Sequence, residues 1–449
     1  MMTSPTNHSA NDSQRLDCIG IGLGPFNLSI AALADKVKTE LSTRFLERKA
    51  YFSWHPGLLL SDAKMQTSFL KDLVTAVDPT SPYSFLNYLV TQRKFYPFCA
   101  SGQSVISRLE FSDYLAWTAH QLPNAQFDCD VQNIEFHDDH FSVTTENETF
   151  TSQHLVIGTG MQPHVPDCIQ GLVSDTCFHA SELALRAPDL TGKRVAIIGG
   201  GQTGADIFQH SFDQHFGKPA HIEWITRRAN IEQLDEGCFT DQYFMPDYVD
   251  QFYQLDSANK QKEVSHQKLA SDGVTSDCLQ NIYRSLYHDK YVLRNPSWWK
   301  ISPHQTLISS RKQNGQYQLD IEHGLSKQRQ TITADVVILC TGFNHDLPKC
   351  LESIKPQMHT DEHDRMALSS DYCLQWKGMG KNNIYIVNSG TDNHGIAEPQ
   401  LSLAAWRAAK IINHLAQHKV YELSDNDNII DWGDLSFKHE KHLAAVSSL

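Results

Sequence analysis

The stretch KRVAIIGGGQTGADIFQHS, residues 193–211, decides the fold. A β-branched apolar run from Arg194 to Ile198 meets Gly199, Gly201 and Gly204 in full GxGxxG spacing, and a helix-forming run follows. Glycines at that spacing allow a tight turn and let the backbone come close to a pyrophosphate. The unpaired N–H groups of the helix start then face its charge. Gln202 and Thr203 lie inside the loop and share its assignment to a dinucleotide. Further on, HIEWITRR (221–228) is a second short strand ending at Arg227 and Arg228. A cationic strand end suits the 2′-phosphate of NADPH, where NADH would be better served by an acidic residue. A solvated charge pair is the alternative reading of these arginines.

Working outward, LDCIGIGLGPFNLSIAALADKV (16–37) repeats the pattern near the N-terminus. Gly20, Gly22 and Gly24 supply the turn, and a helix is expected to begin around Asn27, but Pro25 replaces the third glycine of the motif. Alone, this loop reads equally as a plain strand-turn-helix. TRFLERK (43–49) then places Glu47 at the end of an apolar strand, where an acidic residue can hold an adenosine ribose. Two such loops describe a chain that binds two dinucleotides, one a resident cofactor and the other a diffusing reductant. HLVIGTGMQP (154–163) and DVVILCTGFNH (335–345) are alike: each is a strand feeding a T-G turn, the second at Thr341 and Gly342. Both fit a return crossover from an inserted segment to a dinucleotide-binding sheet, and either also fits an ordinary strand and turn.

The expected fold is therefore α/β, with two Rossmann-like dinucleotide-binding domains and a small helical substrate-binding region. Residues 1–15 are polar and expected to be disordered. The FAD-binding domain takes 16–187 and the NADPH-binding domain 188–334, with a helical excursion at 229–300 where TSDCLQNIYRSLYHDKYV reads as amphipathic. Residues 335–430 return to the FAD and substrate region, and 431–449 form a polar tail.

Composition narrows the function. With 449 residues and a formal net charge of −14, the chain has ample core and no basic field for nucleic acid. No apolar stretch approaches the roughly 20 residues of a membrane span, and the N-terminus lacks the blocks of a signal peptide, so a cytoplasmic location is expected. Ten cysteines never fall as CxxC, which favours buried or incidental thiols over disulfides, and no histidine or carboxylate spacing announces a metal. A disulfide reductase would need a redox cysteine pair. The non-enzymatic alternative is an NADPH-binding scaffold.

GIGLGPFNLSIAAL, FSWHPGLLLSDAKMQTSFLKDLVTAVDPTSPYSFLNYL, FSDYLAW, GGGQTGAD, WITRR, ASDGVTSD and NHGIAEPQLSLAAWR, in this order over residues 15–425, resemble the N-hydroxylating flavoprotein monooxygenases of siderophore biosynthesis. The likeness points most toward the L-lysine N6-hydroxylases of the aerobactin pathway. It implies FAD, NADPH and O2, a C4a-hydroperoxyflavin as oxygen donor, and transfer of oxygen to a primary amine. L-Lysine is the expected substrate, with L-ornithine, putrescine and cadaverine as alternatives.

The resemblance also assigns residues. Trp54 and His55 run beside the flavin, with Trp54 as an aromatic platform or a core residue. Met65 and Gln66 lie near the isoalloxazine and substrate, Gln66 orienting the reactants or making a structural hydrogen bond. Lys71 of FLKDLV pairs with a substrate carboxylate, where relatives acting on diamines have FLADLV; a surface lysine is the alternative. Asn388 contributes to the amino-acid pocket. His394, just ahead of a helix, is either a proton donor or a contact that orders backbone. A homo-oligomer is implied as well, a tetramer being the form the resemblance suggests.

Overall fold

In the computed structural model the described residues are 15–360, 365–423 and 429–433. The expectations for the first fourteen residues and for the tail beyond 433 lie outside them.

The first sheet grows from Leu16–Ile21, whose buried, β-branched second half suits a central parallel strand. Thr43–Leu46 and Thr149–Ile157 flank it in parallel, Cys18 lying beside Thr43 and His154. Ala125–Gln126 extends the sheet beyond Thr43–Leu46. The long strand Thr149–Ile157 serves two partners: its first residues pair antiparallel with His140–Thr145, and Leu155 to Ile157 pair in parallel with Ile384–Ile386. The helix Pro25–Ala34 is buried along its whole length: eight of its ten residues are apolar or proline, and Asn27 and Ser29 hydrogen-bond to backbone carbonyls. It packs on Ala404–Ala416, whose apolar residues 404, 405, 408, 411, 412 and 415 fall on one helical face.

The second sheet is wholly parallel, in the order Trp299–Ser302, His221–Ile225, Arg194–Ile198, Val336–Leu339, Cys177–His179. Val336–Leu339, read from sequence as the return to the first sheet, instead pairs with Arg194–Ile198. The strand that returns is Ile384–Ile386. A β-branched run ending in T-G fits either sheet locally, so only long-range pairing assigns it. The two T-G segments do meet: after their turns, Gln162–Pro163 and Phe343–Asn344 form a two-stranded antiparallel ribbon. An antiparallel meander, Gln305–Gln313, Gln316–His323 and Arg329–Ala334, completes the second unit.

Residues 229–300 hold the helices Pro246–Tyr253, Ser257–His266, Lys268–Asp272 and Ser276–Tyr287. They serve two cores. Ile282 and Leu286 pack with the second sheet, whereas Val249 lies in the core around Pro25–Ala34. Among the described residues no helix is long and apolar enough to cross a membrane.

Candidate functional site

Each glycine loop follows the central strand of its parallel set, where strand order reverses and a crevice opens at the carboxyl ends. In the first loop Gly22 has φ +81°, and a Cβ there would stand 2.7 Å from the Gly158 carbonyl oxygen. Asn27 is fully buried and its Nδ2 donates to the Gly22 carbonyl at 2.7 Å and that of Ile21 at 3.2 Å. It therefore braces the turn from beneath. Pro25 occupies the first helical position, where a missing N–H costs nothing and φ is already set, which explains why it can replace the glycine. Gly20 gives way to the Phe45 ring, 2.1 Å from where its Cβ would be. Glu47 accepts from the Leu23 N–H at 2.9 Å and from Lys49 N–H at 3.1 Å, one bond per oxygen. Each oxygen keeps a lone pair for a ribose hydroxyl.

The second loop is built alike. Gly199 has φ +134°, with a would-be Cβ 2.0 Å from the Cys340 carbonyl oxygen, and Gly204 lets the helix approach so closely that its Cβ would be 2.2 Å from Gly199 O. Trp224 Nε1 donates to that same carbonyl at 2.7 Å. Gln202 is committed to protein: Nε2 donates to Asp206 at 2.7 Å and Oε1 accepts from Thr275 N–H at 2.9 Å, tying the loop to the helical excursion. Thr203 is half-buried in the first helical turn. The two arginines part company. Arg228 donates to the Asp272 carbonyl at 2.9 Å and lies 3.8 Å from Glu232, whereas Arg227 is exposed and has no hydrogen-bond or ion-pair partner among the described residues.

Both loops share a shape. The protein crowds Gly22 and Gly199, yet beside the helix-capping glycines, Gly24 and Gly201, a Cβ would meet no protein atom closer than 3.9 Å. Free space beside backbone N–H groups at a helix start is what a pyrophosphate requires, so both loops fit a dinucleotide.

Between the loops runs a wall of aromatic and cationic groups. Trp54 meets Phe111 and His55 edge-on, each at 5.5 Å, and Arg108 lies over the Trp54 ring at 5.0 Å. His55, in a left-handed conformation at φ 44°, also reaches Phe343 of the linker ribbon at 6.0 Å. His55 is exposed, yet the crowd of surrounding atoms, then the charges of Arg108 and Lys49, push its pKa down to about 4. Arg108 has a buried Nε without a hydrogen-bond partner among the described residues, and the carboxylate whose charge acts on it is Asp206, on the second loop's helix.

Backbone bonds from Met65 N–H to Ile106 O (2.9 Å) and from Arg108 N–H to Ala63 O (2.8 Å) hold the Met65–Gln66 segment against this wall. Gln66 is exposed and its amide makes no hydrogen bond among the described residues, so the structural-bond reading has no support. Five residues on, Lys71 is half-buried and its ammonium has no partner among the described residues. Its neighbour Asp72 is the anchor: buried, it accepts from the N–H groups of Val74 (2.9 Å), Thr75 (2.7 Å) and Phe85 (2.6 Å) and from the Thr75 hydroxyl.

The third wall follows Ile384–Ile386. Asn388 has φ 62°; its carbonyl accepts from His345 Nδ1 at 2.8 Å, and its Oδ1 is buried without a partner. His394 departs from expectation. It ends the four-residue helical turn Thr391–His394 instead of preceding a helix, and the next long helix starts only at Ala404. Its ring is 2% exposed and stacked on Tyr372 at 4.0 Å and Tyr253 at 5.4 Å. Burial, then Arg407, lowers its pKa to about 3. The ring is neutral and walled in by the two tyrosines. Thr341 and Gly342 serve the linker: the Thr341 hydroxyl donates to His164 O, and Gly342 O accepts from His164 N–H at 2.9 Å and His179 Nε2 at 3.0 Å.

Sequence reading overlooked Arg108, Phe343, Glu398 and Arg407. Arg407 did carry a signal, a charge on the apolar face of AAWRAAKIINHLA.

The chain matches the family model described as L-lysine 6-monooxygenase/L-ornithine 5-monooxygenase over residues 14–345. It is 43% identical over 419 residues, 93% of this chain and 98% of the relative, to an L-lysine N6-monooxygenase of Escherichia coli. The cadaverine monooxygenase of the desferrioxamine pathway from Erwinia amylovora, solved with FAD, superposes with a TM-score of 0.87 at 27% identity, covering 94% of this chain and 98% of that one. An ornithine N-hydroxylase from Kutzneria sp. 744, solved with reduced FAD, NADP+ and L-ornithine, gives a TM-score of 0.83 at 26% identity over 90% of this chain and 99% of that one.

Proposed function

This chain belongs to the L-lysine 6-monooxygenase/L-ornithine 5-monooxygenase family, and from that membership we propose that its substrate is L-lysine, hydroxylated on the side-chain nitrogen. The protein is an NADPH-dependent flavoprotein monooxygenase that uses FAD and O2 to N-hydroxylate an amine for siderophore biosynthesis.

Lys71 carries the choice of substrate. It lies partly buried with no partner for its ammonium among the described residues, so a ligand anion can meet it there. An amino acid brings a carboxylate, and putrescine and cadaverine do not. The lysine relative at 43% identity favours L-lysine over L-ornithine.

The oxygen chemistry would come from FAD when bound, with NADPH as its reductant. The chain's own groups then divide the remaining work. Glu47 and the Gly22–Gly24 turn hold the ribose and pyrophosphate of the first nucleotide, and Gly199–Gly204 with Arg227 hold the second. Trp54 and His55 wall the space between them, and the neutral His55 adds no charge that would draw in water. Lys71 fixes the substrate carboxylate, and the unpartnered Asn388 Oδ1 is an acceptor for its α-ammonium. Gln66, whose amide makes no hydrogen bond among the described residues, orients the reacting groups.

The test is direct measurement of hydroxylated product with L-lysine, L-ornithine, putrescine and cadaverine. NADPH loss alone is insufficient, because uncoupled turnover consumes NADPH as well. L-Lysine is expected to give the highest kcat/KM; a diamine outperforming it would overturn the reading.

A further inference from the structure

Away from both nucleotide loops, donor atoms of Asp62, His210 and His215 lie within 4.8 Å of one another. They come from two parts of the molecule. His210, 7% exposed, sits in the last turn of the helix Gln202–Phe212 that begins at the second loop. The chain then turns back, His215 N–H bonding to the His210 carbonyl at 3.1 Å, which lays the His215 ring on that of His210 with centroids 4.0 Å apart and planes 19° apart. Asp62 arrives on the loop after Pro56–Leu58, its Oδ2 3.8 Å from His210 Nδ1 and its Oδ1 accepting from the Ser61 hydroxyl. At that length the carboxylate and imidazole are neighbours without a hydrogen bond.

We propose that these three side chains bind one divalent first-row transition-metal ion. Two imidazoles and one carboxylate are the donor set such ions take, with positions left for water, and hard ions such as Mg2+ prefer all-oxygen sites. Around a tetrahedral ion the donors stand about 3.4 Å apart, so closure needs roughly an ångström of side-chain movement. Asp62 and His215 are exposed and free to make it. The place is favourable too, since the carbonyl end of an eleven-residue helix attracts a cation. The ion would join the loop that leads to Met65 and Gln66 to the helix that starts at the second nucleotide loop. Sequence spacing carries no sign of it, because Asp62 lies far from the histidines along the chain.

Zn2+ titrated calorimetrically into the FAD-loaded, chelator-treated enzyme tests this, with Mg2+ as the hard-ion control. The exposed thiols Cys99 and Cys238 should first be changed to Ser, since they offer zinc other places to bind. In that background one equivalent of Zn2+ is expected to bind with micromolar affinity and raise the unfolding temperature, as a ligand of the native state does. Asp62→Asn and His215→Gln, exposed changes checked for folding by their flavin spectrum, are each expected to lose that equivalent. No zinc uptake by the background protein, or an equivalent retained in both variants, overturns the proposal. So does Mg2+ binding there as well as Zn2+.

Discussion

Glu398 Oε2 stands 3.0 Å from Arg407 Nη2 in the interior, with 0% and 2% of the two side chains exposed. Burial raises the carboxyl pKa above the usual carboxylate range, with Arg407 and then the N–H groups of Asn388, Ser389 and Gly390 opposing that rise only in part. The Asn388 N–H bond is 2.6 Å long, and Arg407 Nη2 also donates to the Glu398 carbonyl at 2.8 Å. Arg407 itself is packed against the rings of Phe26 (4.6 Å) and Tyr372 (5.3 Å). The pair therefore closes the loop carrying Asn388 onto the helix of the first nucleotide loop.

Removing one partner leaves the other charge buried and uncompensated, which costs about 3–5 kcal/mol. Glu398→Ala is expected to lose that much in urea unfolding and to release FAD more readily. Glu398→Gln, which keeps an acceptor oxygen for the N–H groups, should fall between it and wild type. Wild-type stability in Glu398→Ala would show that the pair does not support the loop.

Gly24 and Gly201 have ordinary negative φ, and no protein atom lies within 3.9 Å of their would-be Cβ atoms. Alanine at either position should leave folding intact while the methyl occupies pyrophosphate space. Gly24→Ala is expected to weaken FAD retention only, and Gly201→Ala to raise KM for NADPH about tenfold or more, ~1.4 kcal/mol. Equal effects on both nucleotides from either change would contradict the assignment of one loop to each.

Because Arg228 is engaged by Asp272 and Glu232 while Arg227 has no partner among the described residues, the 2′-phosphate of NADPH is assigned to Arg227. A charged hydrogen bond contributes about 1.5–3 kcal/mol, so Arg227→Ala should raise KM for NADPH roughly ten- to hundredfold and leave the use of NADH unchanged. Arg228→Ala should mainly lower stability, by about 1 kcal/mol. Steady-state comparison of the two reductants separates these outcomes.

Lys71→Ala should raise KM for L-lysine about ten- to hundredfold, or 1.4–2.8 kcal/mol, with NADPH-driven flavin reduction in stopped flow nearly unchanged. Unaltered L-lysine turnover would remove the carboxylate contact.

His394 and His154 have pKa values lowered to about 3 and about 4, burial being the largest cause for each, and the Asn383 N–H donates to His154 Nδ1 at 2.9 Å. The folded state keeps both neutral. Below their unfolded pKa near 6.5, the unfolded chain binds protons that the folded chain refuses, so each lowers stability as pH falls. From pH 6.5 to about 4 each is expected to remove on the order of 1.4 kcal/mol per pH unit. His394→Phe should flatten the measured pH dependence of unfolding by about one proton, and an unchanged slope would place a titratable His394 outside the core.

Local chemistry made much of this protein legible in its sequence. Glycine spacing, a short apolar strand and a following helix specify a pyrophosphate turn because backbone sterics act over a few residues, and both turns formed at Gly22 and Gly199. The motifs spread over residues 15–425 carried the family resemblance, and the family model matches residues 14–345. Tertiary structure alone decided which sheet receives Val336–Leu339, which of Arg227 and Arg228 lacks a partner among the described residues, and that His394 is stacked between tyrosines. It also joined Glu398 to Arg407 and Asp62 to His210. Strand pairing, burial and ion pairing depend on groups brought together by folding, and a residue's own neighbours in sequence carry little trace of them.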